Sequence, residues 1–137
     1  MVTVIFYEKP GCVNNARQKK ILTRSGHKVI SFNLLNEPWS ASRLKRFFQK
    51  LPKAEWFNSS APQIKSGEIN PERIGVEQAL SSMIENPILI RRPLMQVHDQ
   101  YMAGFDVKSV DQWIGINFSP EDPDVETCRQ HETIDTK

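Results

Sequence analysis

This chain of 137 residues predicts a single α/β domain: a mixed four-stranded sheet with helices on both faces and a helical insertion. Three observations carry that prediction. The β-branched and aromatic run at residues 2–7 is followed by a helical segment and a second strand-like run at residues 28–33, the pattern of a β-α-β unit with parallel strands and a right-handed crossover. Two more strand-like runs, at residues 88–97 and 101–105, flank a short turn and read as an antiparallel hairpin. Between these halves lie two segments in which apolar residues recur at helical spacing.

Composition narrows the class. A hydrophobic fraction of 39% with 25% charged residues is that of a soluble globular protein, and no window approaches the ~20 apolar residues of a membrane span. Residues 2–7 already read as a core strand, so no signal peptide is expected. Two cysteines, Cys12 and Cys128, are too few for a disulfide-stapled secreted fold and point to a reducing, cytoplasmic setting. A net charge of +2, evenly scattered, gives no reason to expect nucleic acid as a partner. His27, His98 and His131 have no ligand spacing with one another or with the cysteines, so no metal site is expected.

The first strand ends at Glu8-Lys9-Pro10-Gly11, which delivers Cys12 to the start of a helix over residues 13–25. In that helix Val13, Ala16, Ile21 and Leu22 mark the expected inner side, Arg17, Lys19, Lys20 and Arg24 lie largely elsewhere, and Gly26 is the stop. Free cysteine is most often a small buried apolar residue. The position after Pro10-Gly11 argues for a reactive role instead, because unpaired N–H groups of a first turn favour the thiolate. Such a terminus supplies only about 0.3–1 kcal/mol at an exposed site, less than the 1.36 kcal/mol of one pKa unit. A cation about 5 Å away at an effective dielectric of ~20 would add roughly 3 kcal/mol. The candidates are Lys9, Arg17, Arg91 and Arg92. Cys12-Val13-Asn14-Asn15 is a C-x-x-N, so Cys12 has no second sulfur for a local disulfide.

Further along, Ser40 is a candidate N-cap for a helix near residues 43–50 with the apolar set Leu44, Phe47, Phe48 and Leu51. Residues 55–58 read as one helical turn and residues 59–62 as loop, and a helix over residues 72–85 ends at Asn86-Pro87. Pro93 interrupts a strand pattern, where a cis peptide is one way to keep a proline. Residues 98–100 make the hairpin turn, and residues 107–115 the last helix. From residue 117 the polar, proline-containing sequence reads as a flexible C-terminal tail, leaving residues 1–116 as the domain. This order of elements is that of a thioredoxin-like fold with helices inserted before the hairpin, which sets Pro93 beside the cysteine loop.

The segments 7–12 and 86–93 resemble the arsenate reductase family of thioredoxin-like proteins, over roughly residues 1–115. Residues 6–19, 54–58 and 88–94 resemble more closely its nitrogenase-associated branch. The resemblance implies that Cys12 is the attacking thiol, that Arg92 is one of three arginines holding an oxyanion, and that glutathione is a co-substrate with no bound cofactor. The binding residues expected around Cys12 are Lys9, Asn15, Arg91 and Pro93. The positions of the other two arginines fall near Phe57-Asn58 and Gly104-Phe105, which carry no charge, and Glu8 stands where the family often has a histidine. Two lost charge-assisted donors, at ~1.5–3 kcal/mol each, weaken arsenate binding by about two to four powers of ten.

Two functional readings follow. The first is a thiol-dependent oxidoreductase in which Cys12 and a small thiol form a mixed disulfide, assisted by Arg92. The second is a non-catalytic adaptor or regulator in nitrogen fixation, with a protein partner in nitrogenase or electron-transfer chemistry. An exposed apolar patch at Trp39, Trp56 and Phe57 would favour the adaptor, and a polar cleft at Cys12 the enzyme. Cys128 reads as an incidental thiol or as a resolving partner for Cys12.

Overall fold

The computed structural model describes residues 1–117. Cys128, His131 and the tail expected from residue 117 lie outside the described residues, Asn117 itself excepted. Four strands form one sheet: β1 (Thr3–Glu8), β2 (Lys28–Asn33), β3 (Leu94–Val97) and β4 (Gln100–Ala103), in the order β2-β1-β3-β4. β1 pairs parallel to β2 and antiparallel to β3, and β3 and β4 form the hairpin, so the sheet is mixed as expected. The helices are α1 (Val13–Arg24), α2 (Ala41–Phe48), α3 (Pro62–Lys65), α4 (Val76–Glu85) and α5 (Val107–Ile114), with single 3-10 turns at Leu34–Asn36, Lys53–Glu55 and Pro87–Leu89.

The two-residue period of β1 explains the two cores. Val4 and Phe6 point to one face, where they meet Ile21 and Leu22 of α1, Met95 and Val97 of β3, and Val110 of α5. Tyr7 points to the other face and joins Trp39, Leu44, Phe47 and Phe48 around α2, with Leu80 and Met83 of α4. Burying each such side chain contributes roughly 1.5–3 kcal/mol, so β1 is anchored from both sides. That rigidity fixes the position of the loop leaving its C-terminal end.

Several boundaries differ from the sequence expectation. The helix expected over residues 72–85 begins only at Val76, because Asn70 organises a turn first: its side chain accepts Glu72 N–H and its carbonyl accepts Arg73 and Ile74 N–H. The run 88–97 is not one strand. It makes a 3-10 turn, an isolated bridge from Ile90 to Phe57, and a cis Arg92-Pro93 bond before β3 starts at Leu94. Ser40 caps α2 as expected, its Oγ accepting Arg43 N–H at 3.2 Å.

α1 turns a different face inward than expected. Val13 is 49% exposed and Ala16 is exposed, while Asn14, Asn15 and Gln18 are buried with Ile21 and Leu22. The first two turns pack beneath the cysteine loop, whose backbone N–H groups need polar partners.

Candidate functional site

Local hydrogen bonds shape the loop from β1 to α1. Cys12 N–H donates to the Lys9 carbonyl at 3.1 Å, and Gly11 takes a φ of 85°, a left-handed conformation that costs a side-chain-bearing residue about 1–2 kcal/mol. Cys12 is the N-cap of α1, with φ −76° and ψ 122°, and its Sγ accepts the Asn15 N–H at 3.5 Å. The thiol therefore stands where serine or aspartate usually stands, taking a donor that the helix leaves unpaired. A sulfur receiving an N–H at the positive end of a helix is favoured as thiolate.

Asn15 secures this arrangement. Its Oδ1 accepts Lys9 N–H at 3.1 Å, and its Nδ2 donates to Gln18 Oε1 at 2.8 Å. Asn15 and Gln18 are 0% and 1% exposed, so this network sets the loop against the helix with little freedom.

Cys12 is partly exposed and opens onto a groove of about 550 Å³. Pro10, Gly11, Ala16, Arg17, Lys20 and the Glu8–Lys19 pair share its lining. Lys19 Nζ lies 2.7 Å from Glu8 Oε2. That contact compensates the carboxylate that would otherwise oppose a thiolate nearby. Arg17 therefore shares the groove with Cys12, whereas Lys9 contributes backbone hydrogen bonds.

Arg92 and Pro93 precede β3, and Leu94 pairs with Tyr7 near the end of β1. Continuing that register sets Pro93 and Arg92 at the sheet end from which the Lys9–Cys12 loop departs. Arg92 is only 7% exposed, and its Nε and Nη1 have no hydrogen-bond partner among the described residues. Leaving a buried charged donor unpaired costs at least about 1–3 kcal/mol, so this guanidinium suits an anionic group.

Arg91 is engaged elsewhere. Its guanidinium packs over Gly104, where an added Cβ would lie 2.5 Å from Nε, and its Nη1 donates to the Glu55 carbonyl at 3.2 Å. The two positions expected to have lost their arginines supply no cation. Phe57 is core at 5% exposure, Asn58 donates to the Ile88 carbonyl and accepts Ser60 N–H, and Phe105 is fully buried.

Residues 11–113 match the ArsC family. The chain belongs to that family. It is 44% identical over 134 residues to an uncharacterised 15.7 kDa protein in the draG 3′ region of Rhodospirillum rubrum, covering 97% of this chain and 92% of that protein. Among solved structures, an arsenate reductase from Vibrio cholerae superposes with a TM-score of 0.68 at 20% identity, covering 81% of this chain and 97% of the other. An ArsC-family-related protein from Bacteroides fragilis gives 0.70 at 19% identity, covering 80% and 95%. At such identities the ArsC-family structures share the fold.

In this ArsC-family chain the groove residues that sequence reasoning missed are Lys19 and Lys20, which it read as elsewhere on the helix. The signal was present: counted from Cys12, Ala16, Lys19, Lys20 and Thr23 stand at i+4, i+7, i+8 and i+11, one helix stripe. Asn14 and Gln18 were missed for another reason, since polar residues at a helix start seldom announce burial.

Proposed function

We propose that this ArsC-family protein is a thiol-dependent oxidoreductase of the cytoplasm that uses glutathione or a similar small thiol. The single observation that carries the reading is the Cys12 thiol at the N-cap of α1, receiving Asn15 N–H and open to a groove with Arg17 and Lys20. The Cys12 thiolate attacks one sulfur of a low-molecular-weight disulfide, RSSR. A Cys12–S–SR bond forms, the RS–SR bond breaks, and RS⁻ leaves with the electron pair. Arg92, with two buried donors unfilled, holds an anionic group such as a carboxylate of the incoming thiol.

Arsenate is a poor fit. A dianion needs several charged donors, and the second and third arginine positions of the reductases are Phe57-Asn58 and Gly104-Phe105 here. The adaptor reading loses its expected surface, because Trp39 and Phe57 are 6% and 5% exposed and Trp56 stacks on Phe48 at 4.9 Å. Assignment to nitrogen fixation, with a nitrogenase or electron-transfer partner, rests on the resemblance of residues 6–19, 54–58 and 88–94.

The deciding experiment treats reduced protein with glutathione disulfide and reads the intact mass. A glutathione adduct mapped to Cys12, lost in Cys12→Ser, supports the oxidoreductase. No adduct, or rapid arsenate turnover with glutathione and a glutaredoxin, would refute this reading. Co-purification from nitrogen-fixing cells, with Cys12 intact and with Cys12→Ser, tests the partner assignment.

A further inference from the structure

We propose that the cation-lined face of α1 docks an extended acidic segment of a partner protein, whose cysteine carries a small thiol in mixed disulfide that Cys12 removes. The proposal rests on the thiol reading above and names the substrate class of the same site.

Three observations carry it. First, α1 carries charge of one sign. Its twelve residues include Arg17, Lys19, Lys20 and Arg24 and no Asp or Glu. Arg17, Lys20 and Arg24 follow one another at spacings of three and four residues, where like charges destabilise a helix. Arg24 suits the last turn, where the helix dipole favours a cation, and that reason does not extend to Arg17 or Lys20. Such a row fits a surface that meets anions.

Second, the row borders a continuous depression that ends at the thiol. Grooves of about 590 and 550 Å³ share Ala16, Lys19 and Lys20; one extends to Thr23 and Arg24, the other to Arg17 and Cys12. Ala16, Lys20, Thr23 and Arg24 are exposed. The carboxylate among the lining residues is Glu8, and Lys19 Nζ lies 2.7 Å from its Oε2, so the rim stays net positive.

Third, the dimensions suit a peptide. From Cys12 to Arg24 the helix rises about 18 Å, the reach of about five or six extended residues at ~3.3 Å each. Ala16 and the aliphatic stems of Lys19, Lys20 and Arg24 supply an apolar lining for such a backbone, with the charged heads at the rim. Nucleic acid fits less well. The cation row is confined to one helix of a chain with a net charge of +2, and it leads to a sulfur nucleophile.

The chemistry balances as thiol–disulfide exchange. With P for the acidic segment, the Cys12 thiolate attacks the outer sulfur of P–S–SR. A Cys12–S–SR bond forms, the P–S bond to that sulfur breaks, and P–S⁻ leaves with the electron pair and takes a proton from water. A second small thiolate RS⁻ then attacks the same outer sulfur, RSSR forms, and the Cys12 thiolate leaves. The net reaction is P–S–SR + RSH → P–SH + RSSR.

The test uses the full chain with excess glutathione and two synthetic peptides. One carries alternating Asp and Gly on both sides of a single cysteine linked to glutathione, and the other has Asn in place of every Asp. Release of the free peptide thiol is followed by chromatography, and the readout is the ratio of kcat/KM for the two peptides. A general loss of Cys12 reactivity would not move that ratio. At low salt the acidic peptide should react faster by roughly 1.5- to 5-fold for each exposed pair it makes, and high salt should bring the ratio toward unity. Turnover of both should vanish in Cys12→Ser.

Lys20→Glu with Arg24→Glu should abolish or reverse the preference. Equal rates for the two peptides at low salt would overturn the proposal. So would an unchanged ratio in the double variant, with circular dichroism showing it folded. Stronger inhibition of acidic-peptide turnover by a single-stranded oligonucleotide than by the thiol-free Asp peptide would assign the face to nucleic acid and overturn it as well. These outcomes leave the thiol reading standing if glutathione disulfide still modifies Cys12. If Cys12 takes up glutathione from neither peptide nor from glutathione disulfide, the thiol reading fails and the proposal with it.

Discussion

Asn15 holds Cys12 in place twice: its backbone N–H donates to Cys12 Sγ at 3.5 Å, while its buried side chain accepts the N–H of Lys9 at 3.1 Å, the residue whose carbonyl receives Cys12 N–H. Truncation of Asn15 to alanine leaves Lys9 N–H without its acceptor and should cost about 1–3 kcal/mol, read as a lower urea midpoint. The Cys12 loop should loosen with it, so alkylation of Asn15→Ala should move toward the behaviour of a free cysteine.

Arg92 should show a conflict between stability and binding. Its guanidinium is buried with Nε and Nη1 unfilled, and replacing an uncompensated buried charge by an apolar residue of similar length is often neutral or stabilising. Arg92→Met should therefore match or exceed wild type in urea without added anions. Glutathione or phosphate should raise the wild-type midpoint, by about 2.7 kcal/mol at a hundred times the dissociation constant, and should leave Arg92→Met unmoved.

Gly104 is required by both its backbone and its neighbour. It has a φ of 81°, and a Cβ there would lie 2.5 Å from Arg91 Nε. Gly104→Ala should lose about 1–3 kcal/mol from the backbone conformation alone. It should also displace Arg91 from the Glu55 carbonyl. Thermal denaturation measures the first effect, and a double-mutant cycle with Arg91→Ala the coupling.

Tyr7 gives the fold an alkaline limit. Burial pushes its phenol above the ordinary 10.0, while the Arg43 guanidinium at 3.2 Å partly offsets that rise. Above pH 10 the unfolded chain loses the Tyr7 proton while the folded chain keeps it, so the folded state binds more protons and stability falls with rising pH. The contribution is complete below about pH 10 and declines above it. Urea midpoints between pH of about 8 and about 11 should fall more steeply for wild type than for Tyr7→Phe.

These residues also mark how far the sequence is legible. Pro10-Gly11 after an apolar run was enough to set Cys12 at a helix start, because few residues stop a strand so abruptly, and Ser40 was enough for the cap of α2. The β-α-β start and the hairpin follow from apolar runs bounded by turn residues, and the cis Arg92-Pro93 bond from a proline inside such a run together with the family resemblance of residues 86–93. The inner face of α1 was not legible. Hydrophobicity selects Val13 and Ala16, yet the Lys9 N–H of the cysteine loop turns Asn15 inward as its acceptor, and Asn15 in turn donates to the buried Gln18. The start of α4 was missed because the turn at Asn70 takes residues whose apolar spacing still looks helical. Arg91 and Arg92 are adjacent in sequence, and their separation into a structural and an anion-ready guanidinium depends on Gly104 and Glu55, which lie far apart in the chain.

The most direct test of the thiol reading is the rate of Cys12 alkylation as a function of pH, measured on Cys128→Ser so that one thiol reports. The expected result is a single titration with a midpoint below the free-cysteine value of about 8.5, and a reaction at neutral pH faster than that of a free thiol. A midpoint at or above that value, with no glutathione adduct, would contradict a reactive Cys12 at the start of α1.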